Sequence, residues 1–216
     1  MELSIPLEYE HRVYVVDDDD SFRGSLVGLL GNVGLSAIAC RSVVDYLRAE
    51  HPDCPSCILL DMNLPGPSSQ ELLESLCTQK NHAPPVIFVT AQNDIPATVQ
   101  AMKAGAMDLL TKPLDMSRLL RSLQGAIARD VATREARQQL EQLRSSYLAL
   151  TPCERHIYLG VVHGKRNKQL AREIGLCERS IKSHRSNVMR KMQVTSVAGL
   201  VKTAKLLDLL SRTPES

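Results

Sequence analysis

Residues 13–20 read VYVVDDDD, a short apolar run that ends in four consecutive aspartates. Similar short apolar runs recur along the first half of the chain, at residues 35–39, 57–60, 86–89 and 107–110. Continuous rather than alternating hydrophobicity is typical of strands covered on both faces, and the segments between the runs carry helical periodicity. We therefore predict a doubly wound α/β fold with a five-stranded parallel sheet.

Polar side chains follow most of these runs. Asp17 to Asp20 end the first, Asp61 the third and Thr90 the fourth, while Lys112 follows the fifth. Sheets of this kind bind ligands at the carboxyl ends of their strands, so we expect these side chains to converge. Carboxylates there suit Mg²⁺, and one of them could attack a phosphoryl group whose oxygens a lysine and a hydroxyl bind. The alternative for the aspartate run is a solvated turn that caps a helix.

The two halves of the 216-residue chain carry opposite charge. Residues 1–125 hold 9 Lys and Arg against 16 Asp and Glu, a net charge of −7, whereas residues 126–216 hold 17 against 8, a net charge of +9. This asymmetry indicates two domains, of which the second suits a polyanion such as DNA; a merely solvated basic face is the alternative.

Composition excludes membrane-spanning and disordered classes, because 44% of residues are hydrophobic, 23% are charged and no apolar stretch approaches the ~18 residues of a membrane span. The first residues resemble no export signal and the six cysteines are scattered, so we expect a cytoplasmic protein with reduced thiols. Cys54 and Cys57, with His51 nearby, leave a zinc or redox site open. The motif lacks a second ligand pair, and burial of Cys57 in a strand is the simpler interpretation.

The second half of the chain is predicted to be helical. Residues 115–150 contain no proline and predict one long helix. Within it, Leu140, Leu143, Tyr147 and Leu150 recur at a spacing that fits either a short coiled-coil seam or packing on their own domain. Thr151, Pro152 and Glu154 then predict a capping box, and a glycine turn precedes a basic third helix at 178–192, as in a helix-turn-helix module.

Residues 10–128 resemble the receiver domain of two-component response regulators. The matching stretches are VYVVDDDDSFR, CILLDMNLPG, VIFVTA and GAMDLLTKP, and TAQNDIPATVQAMKAGAMDLLTKP is similar to the FixJ subfamily. The resemblance implies that Asp61 is the phosphoacceptor and that Thr90 and Lys112 contact the phosphoryl group. It also implies a Mg²⁺ site formed by Asp18, Asp61 and the backbone carbonyl of Asn63, with Asp17 assisting through water.

Three features depart from the receiver pattern. Leu109 stands where the family has an aromatic switch residue, and residues 67–69 lack the glycine usual in the loop after the phosphoacceptor. The four-aspartate run is more acidic than usual, and such crowding of like charges predicts a raised pKa for at least one carboxylate unless a metal is bound. We hypothesise that phosphorylation is retained while its coupling to the output is altered.

Residues 148–210 resemble the LuxR/NarL-type output domain through LTPCER, GKRNKQLAREIG and IKSHRSNVMRKM. Residues 151–216 also hold 13 Lys and Arg against 5 Asp and Glu, as a helix entering the major groove requires. The resemblance implies that Lys182, Ser183 and Ser186 face base edges. A second set is expected to contact mostly phosphates: Asn167, Lys168, Arg179, His184 and Arg185.

The sequence thus predicts a receiver domain at 1–128, a helical linker at 129–147 and a DNA-binding domain at 148–216. A sensor histidine kinase would phosphorylate Asp61 and thereby control homodimerisation and binding to promoter DNA, with RNA polymerase a further partner and no membrane partner. The protein would be no enzyme beyond its own phosphotransfer and slow autodephosphorylation. Two alternatives stay open: a Mg²⁺-dependent phosphohydrolase, for which the motif at Asp17 is incomplete, and a constitutive DNA-binding protein with a structural receiver.

Overall fold

The computed structural model describes residues 10–65, 83–91 and 95–209, and for residues 95–97 it describes the backbone alone. The chain divides into two compact units, Met1–Arg134 and Glu135–Ser216. The loop at 67–69 and most of the helical segment predicted between the third and fourth apolar runs lie outside the described residues. Within the described part of the chain, no helix is long and apolar enough to cross a membrane.

The first unit is built on a five-stranded parallel sheet, as predicted. Strand order is β2-β1-β3-β4-β5, so β1 and β3 lie side by side with β4 next to β3. The strands are β1 (Arg12–Val16), β2 (Ser36–Cys40), β3 (Ser56–Asp61), β4 (Val86–Thr90) and β5 (Asp108–Thr111). This order brings the ends of β1, β3 and β4 together at one edge of the sheet.

Helices cover both faces of the sheet. Side chains alternate along β1, so that Val13 and Val15 pack in one core cluster while Tyr14 and Val16 pack in another. The first cluster contains side chains of α1 (Asp20–Asn32) and α4 (Met116–Leu148), and the second contains side chains of α2 (Val43–Arg48) and α3 (Ile95–Lys103). Burial on both faces explains why the inner strands β1, β3 and β4 read as continuous apolar runs, whereas β2 at the edge of the sheet is only partly buried.

The second unit contains the end of α4 and four short helices. They are α5 (Pro152–Val162), α6 (Asn167–Ile174), α7 (Glu178–Lys191) and α8 (Val197–Leu206). The predicted capping box is present, since Thr151 Oγ1 accepts from the Glu154 amide and the Glu154 carboxylate accepts from the Thr151 amide. Gly160 permits close approach of α6, because an added Cβ would overlap Leu170.

The spacing at the end of α4 reflects packing within the second unit. Leu150 is buried in the same core as Ile157 and Val188, and Leu143 and Tyr147 pack against that core half-buried. The Tyr147 and Tyr158 rings also pack edge to face, with their centroids 5.4 Å apart. Of the two interpretations of the spacing of Leu140, Leu143, Tyr147 and Leu150, packing on their own domain therefore accounts for the last three side chains.

Candidate functional site

The carboxyl edge of the sheet gathers the polar residues that follow the strands. Asp17 comes directly after β1, Asp61 ends β3, Thr90 ends β4 and Lys112 follows β5. The backbone ties two of these positions together, because the Lys112 amide donates to the Thr90 carbonyl at 2.7 Å. Asp17, Asp61 and Thr90 are buried, although they are polar.

An acidic cluster with one lysine forms the centre of this edge. Asp17, Asp18 and Asp61 each present a carboxylate oxygen, and these oxygens lie within 4.8 Å of one another. The Lys112 ammonium donates to Asp17 at 2.7 Å and to Asp61 at 2.6 Å. Asp18 is exposed, whereas Asp17 and Asp61 are not. The cluster therefore pairs two buried carboxylates with one cation and leaves a third carboxylate open to solvent.

Backbone amides orient the two buried carboxylates. The Asp19 amide donates to Asp17 at 2.9 Å, and the Asn63 amide donates to Asp61 at 2.8 Å. Both bonds span two residues, so each carboxylate is held by the turn that follows its own strand. Such bonds fix the carboxylates in the site before any ligand arrives.

Burial and pairing shift the acidity of this cluster in opposite directions. Burial raises the pKa of Asp17 despite the bond from Lys112, and the charge of Asp61 adds to the rise. Burial alone would lower the pKa of Lys112, but its bonds to Asp17 and Asp61 outweigh burial and raise that pKa. One aspartate of the run thus has the predicted raised pKa, but its first cause is burial rather than crowding of like charges.

The other two aspartates of the run have structural partners. Asp19 is the N-cap of α1 and accepts from the amides of Ser21 and Phe22. Asp20 pairs with Arg23 and Arg41, whose hydrogen bonds lower the pKa of Asp20. The capping interpretation of the run is therefore correct for Asp19, and the acidic-site interpretation applies to Asp17 and Asp18.

Two residues around the cluster, Phe22 and Arg23, were not predicted from the sequence to have a role in the site. Arg23 is buried and donates to the Asp17 carbonyl at 2.6 Å, which braces the turn between β1 and α1. The Phe22 ring lies 4.1 Å from the Lys112 ammonium, in a cation–π contact. Helical spacing places both side chains in the first turn of α1, but only the fold brings Phe22 against Lys112, which follows β5.

The donor set of the acidic cluster fits a hard divalent cation. Three carboxylates within reach of one point match the oxygen ligands of Mg²⁺, which takes one or two carboxylates and retains several waters. The exposure of Asp18 leaves a path for a hydrated ion. Asn63 lies two residues after Asp61, in the turn whose amide bonds to the Asp61 carboxylate, so its carbonyl belongs to the same loop.

Leu109, the position of the expected switch residue, lies on β5 and is half-buried against the second core cluster. The Leu109 amide donates to the Asp108 carboxylate at 2.8 Å. The Leu109 side chain thus packs against an apolar core, at the position where the receiver resemblance implies an aromatic ring.

The cysteine pair has the properties of packed thiols. Cys57 is fully buried in β3, and burial raises its pKa far above the usual thiol range. Burial also raises the pKa of Cys54. Among the described residues, the acidic cluster is the one group of three or more candidate metal ligands, so nothing in that part of the chain supports a zinc site at this pair.

The predicted DNA contacts lie on α7 and at the start of α6. Lys182, Ser183 and Ser186 are exposed on α7, together with Arg179 near its N-terminus. Lys168 is exposed in the first turn of α6.

The remaining three predicted contacts are half-buried. Arg185 donates to the side chain of Asn167, which fastens α7 to the start of α6. His184 also lies half-buried on α7. The exposed cations are thus free to approach a ligand, while Arg185 and Asn167 also hold the two helices together.

Two family models match the chain. Residues 13–124 match the response regulator receiver domain, and residues 148–204 match the luxR family of bacterial regulatory proteins. Nodulation protein W of Bradyrhizobium diazoefficiens is 40% identical over 197 residues, which cover 91% of this chain and 86% of that protein. The transcriptional regulatory protein FixJ of Azorhizobium caulinodans is 34% identical over 194 residues, or 90% of this chain and 92% of FixJ. The solved structure of the response regulator StyR has a TM-score of 0.80 and 37% identity, over 91% of this chain and 98% of StyR.

Proposed function

Because this chain belongs to the response regulators that combine a receiver domain with a luxR-type DNA-binding domain, we propose that phosphorylation of Asp61 controls its binding to DNA. The observation that carries this proposal is the pairing of Lys112 with both Asp61 and Asp17 at 2.6 and 2.7 Å. A buried carboxylate, a lysine and a buried threonine at adjoining strand ends form a site that accepts a phosphoryl group and binds its oxygens.

The proposed chemistry is a single phosphoryl transfer. A carboxylate oxygen of Asp61 forms a bond to phosphorus, the bond from phosphorus to the donor's leaving atom breaks, and the leaving group departs with that electron pair. Lys112 and Thr90 hold the phosphoryl oxygens, with the ammonium offsetting their charge. Asp17, Asp18, Asp61 and the carbonyl of Asn63 would hold Mg²⁺, which when bound neutralises negative charge that develops on those oxygens.

The protein is proposed to act in the cytoplasm, where a sensor histidine kinase donates the phosphoryl group. The DNA that it binds is proposed to be a promoter. The receiver would comprise residues 1–128, the helical linker 129–147 and the DNA-binding domain 148–216. Phosphorylation would shift the receiver toward a conformation that forms a homodimer. A homodimer would present two copies of α7, which suits two DNA half-sites about one turn apart. The DNA-bound protein would then act on transcription through RNA polymerase.

Contacts with DNA are proposed to divide by role. Lys182, Ser183 and Ser186 on the exposed side of α7 would read base edges. Positioning on the backbone would fall to Asn167, Lys168, Arg179, His184 and Arg185.

The test begins with the full chain, Mg²⁺ and acetyl phosphate, and compares the intact mass of wild type with that of Asp61→Asn. We expect one phosphoryl adduct on the wild type, none on Asp61→Asn, and a normal adduct on Asp45→Asn, which removes an exposed carboxylate of α2. Absence of any adduct on the wild type, under conditions that label another receiver, would instead favour a constitutive DNA-binding protein with a structural receiver.

A second measurement separates regulation from hydrolysis. Sustained turnover of small phosphomonoesters that Asp17→Asn abolishes and Asp61→Asn leaves intact would favour the phosphohydrolase. In such a phosphohydrolase the second acid stands two residues after the nucleophile Asp17, at Asp19, and has to be available to the substrate. The Asp19 carboxylate instead caps α1, which argues against this alternative.

A further inference from the structure

We propose that Phe22 is a positioning residue for Lys112, and that its ring sets the rate at which Asp61 accepts a phosphoryl group. This inference rests on the proposed function, since it concerns the same site. Its starting point is the contact between the Phe22 ring and the Lys112 ammonium at 4.1 Å.

The start of α1 holds Phe22 in place. Asp19 caps the helix and accepts directly from the Phe22 amide at 3.0 Å. The next residue, Arg23, is buried and bound to the Asp17 carbonyl. The ring is half-buried and packs against the first core cluster. The position of Phe22 is therefore set by the helix cap at its amide and by the packing of its ring in the core.

The ring supplies Lys112 with a third contact. Two carboxylates, those of Asp17 and Asp61, bind the ammonium, and the aromatic face lies against it as well. A lysine side chain has a long flexible stem, and the negative face of an aromatic ring attracts its cation. When a phosphoryl group arrives at Asp61, the ammonium has to exchange a carboxylate contact for phosphoryl oxygens. The ring then keeps the cation at the site during that exchange.

An aliphatic side chain at position 22 would fill space without attracting the cation. The experiment therefore compares Phe22→Leu with Phe22→Tyr in the full chain, with Mg²⁺ and acetyl phosphate as the probe. Rates of adduct formation are measured by intact mass across acetyl phosphate concentrations. We expect Phe22→Leu to lower the maximal rate of adduct formation about threefold to tenfold, which corresponds to the loss of one partly desolvated cation–π contact. Phe22→Tyr keeps an aromatic face and should retain most of the wild-type rate.

A second readout reports the contact without the reaction. In metal-free protein, NMR signals of the Lys112 Hε protons, assigned by their loss in Lys112→Met, should show an upfield ring-current shift. This shift should vanish in Phe22→Leu and persist in Phe22→Tyr. Val27→Ala, which removes apolar volume from the same helix and the same core cluster, should leave both the shift and the adduct rate as in wild type.

The outcomes are distinct. Wild-type rates and an unchanged Lys112 shift in Phe22→Leu would overturn the inference. Equal slowing by Phe22→Leu, Phe22→Tyr and Val27→Ala would also overturn it, because the effect would then come from packing. A wild-type protein that forms no adduct would overturn the proposed function and this inference with it, whereas loss restricted to Phe22→Leu leaves the proposed function standing and supports the role of the ring.

Discussion

Lys112 and Asp61 lie 51 residues apart in the sequence, and their side chains form an ion pair of 2.6 Å at the end of the sheet. The carboxylate is 7% exposed and the lysine side chain 20% exposed, so the charge of Asp61 depends on the Lys112 ammonium for compensation, while the ammonium is shared between Asp61 and Asp17. In the metal-free protein, the stability of this edge therefore rests on one cation facing several carboxylates.

We predict opposite effects of the two partners on stability. Lys112→Met leaves buried carboxylates without their cation and should lower the unfolding free energy by about 2 kcal/mol in metal-free buffer. Asp61→Asn removes one of the crowded negative charges and should leave stability equal to or above that of wild type. Urea denaturation with EDTA present, followed by amide exchange in residues 56–61, measures both. Lys103→Met, at an exposed lysine of α3, serves as the control, and destabilisation by Asp61→Asn equal to that by Lys112→Met would contradict the prediction.

Leu109 provides a test of how phosphorylation reaches the DNA-binding domain. An aliphatic side chain packed in the second core cluster cannot reproduce the rotation of an aromatic ring that the receiver resemblance implies. We predict that Leu109→Phe forms the phosphoryl adduct as wild type does, but changes the ratio of DNA affinities with and without acetyl phosphate about fivefold or more. Fluorescence anisotropy with a duplex selected from random DNA measures this ratio.

The matched control is Leu47→Phe, which enlarges an exposed leucine of α2. If Leu109→Phe has the same affinity ratio as wild type, then position 109 does not couple the phosphoryl site to the output.

Salt dependence distinguishes phosphate contacts from base contacts on α7. Arg179→Ala removes an exposed cation that is proposed to bind a phosphate. The plot of log affinity against log salt should therefore become less steep by about one, and the affinity for all DNA sequences should drop alike. Lys182→Ala should in addition relax the preference for the selected sequence over a scrambled one. Lys205→Ala, at an exposed lysine of α8, is the comparison that should change neither. If Arg179→Ala leaves the salt dependence unchanged, Arg179 makes no contact with a DNA phosphate.

The sequence predicts the frame of this site because its signals are local. Buried strands read as apolar runs, and parallel strands bring their carboxyl ends to one edge, so the gathering of Asp17, Asp61 and Lys112 follows from the order of elements. The capping box at Thr151 is equally local, since its two hydrogen bonds span three residues.

Contacts between distant side chains were not predictable in the same way. Phe22 meets Lys112, and Ser56 meets Asp130, only after helices pack on the sheet in one register. The division of the aspartate run also depends on tertiary partners, because Asp20 pairs with Arg41 from the segment after β2. Hydrophobic periodicity predicts which face of a helix is buried, but it does not predict which polar group of another element that face will contact.

Glu154 should make the stability of the second unit dependent on pH. Burial alone would raise the pKa of Glu154, but hydrogen bonds from Lys191 and Thr151 outweigh burial and lower it. A carboxyl whose pKa is lower in the folded state stabilises the fold above its unfolded pKa, and this contribution is lost as pH falls through the folded pKa. We predict that Glu154→Gln costs about 1–2 kcal/mol at pH 7, because it removes one ion pair and one capping charge.

Calorimetric unfolding of the full chain at neutral and acid pH checks this prediction. The difference between wild type and Glu154→Gln should shrink once the pH drops below the usual carboxyl range. Glu135→Gln, at an exposed position of α4, should differ little from wild type at either pH. A difference that stays constant with pH would show that Glu154 acts through packing rather than charge.

Asp130 is the last test, because it is a fully buried carboxylate in the long helix α4. It accepts from the Ser56 amide at 2.9 Å and from Arg134 Nε at 2.8 Å, so it fastens α4 to the first residue of β3. Arg134 also pairs with the exposed Asp53. Asp130→Ala leaves a buried amide and a largely buried guanidinium without this acceptor, and should cost about 3 kcal/mol.

The matched variant is Asp53→Ala, which removes the exposed partner of the same arginine and should cost less than about 1 kcal/mol. Amide exchange should rise in both β3 and the 126–134 stretch of α4 in Asp130→Ala, because one bond joins the two segments. Equal costs for the two variants would mean that the buried carboxylate contributes no more than a surface ion pair. A larger cost for Asp130→Ala, together with faster exchange in both segments, would support the role of this bond in holding α4 against β3.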